Sequence, residues 1–303
     1  MNWTTALTKF LSFLKIERGL AQNTIKSYEL DLKKLIRFLE EYETPIPMPS
    51  EITTTTLQAF IYYEHKKSNT RTQARLTSSL KSFFKYLIFE KHREDQPMSL
   101  IESPKIGRKL PHILSIKEID QILQHIDLSD PLGYRNYTII ELLYSCGLRV
   151  SELTTLKISD LYFKENFISV WGKGNKKRLI PIAKSTQEIV NNYIKLYRSK
   201  IKCHPDFSDH VFLNRRGKAL TRAMIFTIVK KQGELSGLSQ KISPHIFRHS
   251  FASHLLQNGA DLFAIQQMLG HESIATTEIY THVDTQFLEK TLKKHHPRNE
   301  LRD

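Results

Sequence analysis

The segment 243–256, SPHIFRHSFASHLL, sets basic side chains among apolar ones in a pattern that predicts a helix. His245 and Arg248 lie three residues apart, so on a helix they share one face. Polar and ionisable groups are unfavourable to bury without partners, and we therefore expect both side chains to face a charged ligand. The positions expected to face the core are Ile246, Phe247, Phe251, Leu255 and Leu256.

Two further basic residues lie at predicted turns. In YSCGLRVSEL a helix is expected to end at Gly147 and the next to begin near Val150, with Arg149 at the junction. An ordinary salt bridge to Glu152 is the alternative role for Arg149. In NFISVWGKGNKKRLIPI we predict two short strands joined by a glycine-containing turn. Lys173 lies between the glycines, where the backbone can approach a ligand closely, although a solvated turn lysine would fit the same pattern.

Two more candidates lie near the C-terminus. His271 follows a glycine in LGHES, and Tyr280 comes nine residues later in IYTHVD. Imidazole can donate hydrogen bonds or move a proton near neutral pH. A phenol has an ordinary pKa near 10, so it must lose its proton to act as a nucleophile. The remaining histidines of this region are assigned no chemistry: we expect His249 and His254 to be structural, and His295 and His296 to be solvated.

Several other kinds of site lack their sequence signatures. GxxxxGK[ST] and GxGxxG loops are absent, which argues against ATP and dinucleotide cofactors. His245 and His249 lack the glutamate of an HExxH zinc site, and acidic clusters that would hold magnesium are missing. The sequence therefore predicts no cofactor and no metal. Two cysteines form no disulfide framework, and neither a signal peptide nor a membrane span is visible, so a cytoplasmic location is expected.

The charge of the chain predicts a polyanionic partner. Among 303 residues the formal net charge is +14 and the isoelectric point is near 9.6. Residues 1–110 contain 18 Lys and Arg against 12 Asp and Glu, and the remainder contains 27 against 19. Because both parts are basic, a two-part grip on a duplex fits better than one DNA-binding module on a neutral enzyme. For the basic helix face with Arg71, Arg75, Lys81 and Lys85, solvation and DNA contact stay open as alternatives.

The elements that would position these residues fall into two predicted domains, mainly α-helical with a small antiparallel β-sheet. Residues 1–102 predict a bundle of four helices, the second with Asn23 or Thr24 as N-cap. Residues 103–114 predict a linker. Residues 115–303 predict the second domain, which opens on a Ser115–Glu118 capping box and ends in an amphipathic tail helix.

The motifs GLRVSEL, GKGNKKR, HIFR, LGH and IYTH occur in an order and with gaps that resemble the tyrosine site-specific recombinases, also called the phage integrase family. The resemblance covers essentially the whole chain. The KKHHPR ending is similar to that of the Xer branch, whose members resolve chromosome dimers. The resemblance implies a DNA-binding N-terminal core-binding domain, a catalytic domain, and six catalytic residues: Arg149, Lys173, His245, Arg248, His271 and Tyr280.

The resemblance implies that Tyr280 is the nucleophile, forming a 3′-phosphotyrosine, and that Lys173 is the general acid to the leaving 5′-oxygen. A guanidinium can give two parallel hydrogen bonds to phosphate oxygens, which suits Arg149 and Arg248 to the transition state. Because the covalent ester keeps the bond energy, religation needs neither ATP nor a metal. The sequence does not identify the group that accepts the tyrosine proton.

His245 and His271 complete the implied set as further donors or proton carriers. The implied partner is double-stranded DNA with a dif-like site, bound by a tetrameric synapse on two sites. A paralogous Xer recombinase and an activating FtsK-like DNA translocase are further partners that the resemblance admits. Three alternatives stay open: a mobile-element integrase, a non-cleaving architectural DNA-binding protein, and a relaxing topoisomerase. The tail helix is implied to dock on a neighbouring protomer, and packing on its own domain is the alternative.

Overall fold

The computed structural model describes four ranges of the chain: 1–104, 113–172, 177–270 and 285–299. The chain divides into two compact units, residues 1–109 and 110–303. Residues 105–112 of the predicted linker lie outside the described ranges, so the predicted domain limits stay a prediction. Over the described ranges, no helix combines the length and the apolar character needed to cross a membrane.

The N-terminal unit consists, in its described part, of four helices: α1 Trp3–Ile16, α2 Gln22–Tyr42, α3 Thr54–His65 and α4 Thr70–Phe89. Side chains cap three of them, as when Asn69 Oδ1 accepts a hydrogen bond from the Thr72 backbone N–H at 3.0 Å. The predicted capping of α2 is wrong. Its N-cap is Ala21, whose backbone carbonyl accepts from the N–H groups of Thr24 and Ile25 without a side-chain cap.

An ion pair crosses the N-terminal unit from α2 to α4. Asp31 is fully buried, and its Oδ2 accepts from Arg75 Nη1 at 2.6 Å and from the Ser79 hydroxyl at 3.1 Å. Arg75 also donates to the backbone carbonyl of Ser27 at 2.9 Å. Arg75 thus pairs with a carboxylate that burial would otherwise leave without a counter-ion, while its side chain keeps 37% exposure. The two alternatives for this helix face, solvation and DNA contact, stay predictions.

The second unit contains eight α-helices and three strands within its described part, besides short 3-10 and π segments. The helices are α5 Ile116–Gln124, α6 Pro131–Ser145, α7 Val150–Thr155, α8 Lys184–Asn192, α9 Arg222–Leu235, α10 Pro244–Gln257, α11 Leu262–Leu269 and α12 Thr285–His295. The strands are β1 Leu161–Tyr162, β2 Phe167–Trp171 and β3 Lys177–Pro181. The predicted capping box at the start of α5 is present. The predicted fold class, mainly α with a small antiparallel sheet, is confirmed.

The three strands form an antiparallel sheet in the order β1–β2–β3. The predicted hairpin is therefore confirmed, with Val170 of β2 paired to Arg178 of β3. Residues 173–176, which contain Lys173, lie outside the described ranges. In the strand pair next to residues 173–176, Lys177 Nζ lies 3.1 Å from Asp160 Oδ1 and 4.9 Å from the ring centroid of Trp171.

Helix α10 runs through the core of the second unit. Phe247, Phe251 and Leu255 are fully buried in its core, as predicted. The prediction for Leu256 is wrong, because this side chain is 53% exposed. Successive residues point about 100° apart on a helix, so the face that buries Phe251 and Leu255 turns Leu256 outward.

Helix α12 and the residues after it pack onto their own unit. Leu288 and Leu292 are buried, and Asn166 Nδ2 donates to Glu289 Oε1 at 3.0 Å. The expectation that His296 is solvated is wrong. Its ring is 2% exposed and lies 4.9 Å from the ring of Tyr144, measured between centroids. The buried ring of His296 thus anchors the tail against Tyr144 of α6, a contact that the basic sequence KKHHPR does not indicate.

We predict that this anchor makes the stability of the second unit depend on pH. Burial, helped by the charge of Arg298 and the neighbouring His254, lowers the pKa of His296 to about 3. As the pH falls below 6.5, the ordinary pKa of histidine, His296 binds a proton in the unfolded chain but not in the folded chain. The free energy of unfolding therefore falls from pH 6.5 towards pH 3. Between pH 7 and pH 5 the loss is about 2 kcal/mol of unfolding free energy.

Denaturant unfolding at both pH values measures this loss. His296→Phe should lose about 2 kcal/mol less than the wild type over the same interval. His249→Gln, which changes an exposed histidine of the same unit, is the control and should follow the wild type. The same pH dependence in His296→Phe and in the wild type would contradict the assignment.

Candidate active site

The turn between α6 and α7 positions Arg149 as predicted. Helix α6 ends at Ser145, and Gly147 has a φ of +58°, which glycine adopts at little cost. This left-handed residue reverses the chain so that Arg149 becomes the N-cap of α7. The backbone N–H of Arg149 donates to Glu152 Oε2 at 2.8 Å, which closes the first turn of the helix.

Glu152 is the anion of a buried cluster. Its side chain is only 1% exposed. Its carboxylate accepts from Arg149 Nη1 at 2.8 Å, and from Arg178 Nη1 and Nη2 at 2.6 Å and 2.9 Å. The salt bridge that was the alternative role of Arg149 is thus present. It fixes the position of the guanidinium, and the Arg149 side chain still keeps 29% exposure through which a ligand can reach it.

Arg248 of α10 joins the same cluster. Its Nη1 donates to the backbone carbonyl of Gly147 at 2.6 Å and lies 3.8 Å from Glu152 Oε2. Its Nη2 donates to the backbone carbonyl of Leu269. The side chain is 10% exposed, so this guanidinium is held almost entirely by protein oxygen atoms.

The last carbonyls of α11 complete the cluster. Three successive residues, Met268, Leu269 and Gly270, accept from three arginines, which are Arg178, Arg248 and Arg149 in that order. The distances are 3.0 Å for Arg178 Nε and 3.1 Å for Arg149 Nη2. The C-terminal end of a helix carries partial negative charge and unpaired carbonyls, so it is a natural place to hold cations.

The cluster carries an excess of positive charge. Among the residues that the structure describes, three guanidinium groups face one carboxylate, that of Glu152. Burial, and then the charge of Arg149, lowers the pKa of Arg248 to about 9, so it remains protonated at pH 7. Burial alone would raise the pKa of Glu152, but its bonds to Arg178 and Arg149 outweigh that effect and lower it, so it remains ionised. A rigid group of guanidiniums with uncompensated charge suits an oxyanion such as phosphate.

Of the six candidate catalytic residues, the structure describes three. Arg149 and Arg248 lie together on Glu152, while His245 is exposed in the first turn of α10, with its ring 6.3 Å from that of Phe226. The other three, Lys173, His271 and Tyr280, lie outside the described residues. The expectation that His245 and Arg248 face a charged ligand therefore stays a prediction.

Sequence reasoning missed two members of the cluster. Glu152 was considered only as a salt-bridge partner, although its position three residues after Arg149 is the spacing of a capping box. Arg178 was not singled out at all. Its position in KKRLIPI gives no sign that it reaches α7 and α11, because those contacts exist only in the tertiary structure.

We predict that Gly147→Ala strongly destabilises the second unit. A Cβ at residue 147 would lie 2.5 Å from Phe251 Cδ1, in addition to the strain of a positive φ. The matched control is Gly237→Ala, where φ is +74° and no atom lies within 4 Å of the added carbon. We expect the control to cost about 1–2 kcal/mol of unfolding free energy, and Gly147→Ala about 1–3 kcal/mol more. Denaturant unfolding measures both, and equal costs would contradict the packing described for Phe251.

Known proteins are similar to this chain over most of its length. Residues 112–286 match the Phage integrase family, and residues 7–91 match the phage integrase N-terminal SAM-like domain. Tyrosine recombinase XerD of Listeria innocua is 40% identical over 290 residues, which are 95% of this chain and 97% of that protein. Tyrosine recombinase XerD of Staphylococcus haemolyticus is 39% identical over 295 residues, 97% of this chain and 99% of that protein.

Solved structures show the same fold. The post-cleavage complex of XerH site-specific recombinase bound to a palindromic difH substrate has a TM-score of 0.69 and 26% identity, covering 95% of this chain and 84% of that one. A lambda integrase dimer bound to a COC′ core site has a TM-score of 0.70 at 20% identity, covering 94% and 100%, which is a likeness of fold alone. With its two family domains and its full-length relatives, the chain belongs to the tyrosine site-specific recombinases of the phage integrase family, in the Xer branch.

Proposed function

We propose that this recombinase cuts and rejoins duplex DNA through a 3′-phosphotyrosyl intermediate, with Tyr280 as the nucleophile. The observation that supports the proposal best is the positively charged cluster in which Glu152 and the end of α11 fix Arg149 and Arg248. Preorganised donors of this kind stabilise the charge that develops on a phosphate in the transition state, since they need no reorganisation as the reaction proceeds.

In the proposed first step, the Tyr280 oxygen attacks the scissile phosphorus and the bond from phosphorus to the 5′-oxygen breaks. Lys173 gives a proton to the leaving 5′-oxygen, while the tyrosine proton passes to a base that is not assigned. Arg149 and Arg248 donate to the non-bridging oxygens, and His245 is a further donor. In the second step a 5′-hydroxyl attacks the phosphotyrosine, which forms a new phosphodiester and releases the tyrosine.

His271 completes the proposed site as a second imidazole donor. It directly follows Gly270, whose backbone carbonyl accepts from Arg149, so His271 is the next residue in the sequence after the arginine cluster. The two steps conserve the number of phosphoester bonds. The proposed reaction therefore needs no nucleotide hydrolysis, and none of the six residues is assigned to hold a metal.

We propose chromosome-dimer resolution at a dif-like site as the biological reaction, in the cytoplasm. Support comes from relatives called XerD, 39–40% identical over nearly the whole chain, and from the XerH complexes with difH substrates. The basic charge of both parts of the chain fits a duplex held by two units. A tetrameric synapse, a paralogous Xer recombinase and an FtsK-like translocase belong to this proposal as partners. Full-length similarity to XerD favours this role over that of a mobile-element integrase.

We predict that the wild type forms a covalent complex with a nicked duplex that carries a dif-type site, and that Tyr280→Phe does not. The nick lets the short 5′-hydroxyl fragment diffuse away, so the phosphotyrosine is trapped and appears as a shifted band on a denaturing gel. Tyr162→Phe, which changes a half-exposed tyrosine of the same unit, is the matched control and should form the complex. A complex that persists in Tyr280→Phe would show that another residue is the nucleophile.

We also predict that Arg149→Ala and Arg248→Ala each lower the single-turnover rate of covalent complex formation by about 10²–10³-fold at saturating DNA. Arg248→Lys should recover little of this loss, because an ammonium group cannot make the two parallel hydrogen bonds of a guanidinium. Thermal unfolding of each variant separates catalytic loss from misfolding. A folded Arg248→Ala that reacts at the wild-type rate would exclude this arginine from the reaction.

A further inference from the structure

We propose that Arg178 is a positioning residue: it occupies the buried carboxylate of Glu152 and thereby keeps Arg149 and Arg248 available to the scissile phosphate. The inference rests on the proposed function, since it assigns how the phosphate-binding arginines of that site are held. Arg178 itself is not expected to touch the DNA.

The hydrogen bonds of Arg178 are directed to the protein through all three nitrogens of its guanidinium. Nη1 and Nη2 make a bidentate pair with Glu152 at 2.6 Å and 2.9 Å, and Nε donates to the Met268 carbonyl at 3.0 Å. The side chain is 14% exposed, about half the exposure of Arg149. Through these hydrogen bonds Arg178 links β3 to α7 and α11, and no guanidinium nitrogen is left without a protein partner.

The charge of Glu152 explains why its pairing with Arg178 is needed. A carboxylate that is 1% exposed must be paired with donors, because its desolvation is otherwise uncompensated. Arg178 supplies the bidentate pair, so Arg149 needs to contribute only one guanidinium nitrogen and Arg248 can stay at 3.8 Å. Without Arg178, the cations that remain on Glu152 among the described residues are those same two arginines. Their donors would then turn to Glu152 and away from the phosphate.

Arg178 also lies between the two segments that lead to the other proposed catalytic residues. It stands five residues after Lys173, in the strand that closes the hairpin. On its other side it packs against Gly270, the last described residue before His271: a Cβ on this glycine would lie 3.0 Å from Arg178 Cδ. Gly270 has a φ of +62°, so both its conformation and the closeness of Arg178 favour glycine there.

The test compares cleavage rate, DNA affinity and stability in four chains: the wild type, Arg178→Gln, Glu152→Gln and the double variant. Single-turnover formation of the covalent complex is measured with the nicked duplex at saturating DNA, and the dissociation constant is measured separately. We expect Arg178→Gln to react about 10–100-fold more slowly, with less than a threefold change in the dissociation constant, because the donors of Arg149 and Arg248 then turn from the scissile phosphate to Glu152 while the rest of the DNA-binding surface is unchanged.

The double variant distinguishes positioning from simple structural support. If Arg178 acts by neutralising Glu152, removing both charges leaves no carboxylate to capture Arg149 and Arg248. The double variant should then react at least tenfold faster than Arg178→Gln. If Arg178 only stabilises the fold, a folded Arg178→Gln should instead react at the wild-type rate, and the coupling between the two residues should appear only in thermal unfolding.

Arg198→Gln is the matched control. Arg198 also donates to backbone carbonyls, those of His210 and Ser208 at 2.8 Å and 2.5 Å, but these residues lie outside the cluster. It should react within twofold of the wild type. Thermal unfolding shows which variants fold. Should Arg178→Gln fail to fold, Arg178→Lys takes its place, since it keeps the charge but loses the bidentate fork, and about tenfold slower cleavage is expected.

The outcomes separate this inference from the proposed function. A wild-type chain that forms no covalent complex overturns the proposed function and this inference with it. A wild type that reacts, together with a folded Arg178→Gln or Arg178→Lys that reacts equally fast, overturns this inference alone. Additive losses in the double variant also overturn it.

Discussion

The arrangement of the second unit depends on one buried carboxylate. Glu152 is almost completely removed from water, and an unpaired charge in that position would cost several kcal/mol. Its partners come from separate elements: Arg149 from the turn before α7, Arg178 from β3 and Arg248 from α10. To satisfy Glu152, these elements must come together at one point. The same requirement brings the three guanidiniums together, which is the arrangement that the proposed role of Arg149 and Arg248 needs.

The end of α11 supplies the second half of this constraint. Three successive carbonyls accept from the same three arginines, so the cluster caps the helix terminus. Two glycines with positive φ let the chain turn at the cluster: Gly147 after α6 and Gly270 after α11. Charged groups held by fixed backbone oxygens have little freedom to reorient, and a preorganised site for an oxyanion requires this rigidity.

A related arrangement holds the N-terminal unit together. There, buried Asp31 on α2 pairs with Arg75 on α4, which ties two helices that also share an aromatic core. In the second unit, the tail adds a further link of this kind, since Arg298 Nη1 pairs with Asp120 Oδ1 at 2.6 Å beside the buried ring of His296. In this basic chain, several of the arginines thus serve as internal counter-ions, and only part of the 45 lysine and arginine side chains is free to contact a polyanionic partner.

The sequence by itself determined what depends on local pattern. Apolar periodicity predicted the helices, alternation around a glycine-containing turn predicted the hairpin, and the order of five short motifs indicated the family and the candidate residues, including Arg149 and Arg248. Local patterns failed where a neighbour distant in sequence decides the outcome. Leu256 is exposed because α10 presents another face to the core, and His296 is buried because α6 offers an aromatic surface. The pairing of Arg178 with Glu152, and of three arginines with the end of α11, could not be predicted from the sequence. These contacts join residues that are distant in sequence, and only the tertiary structure brings them close.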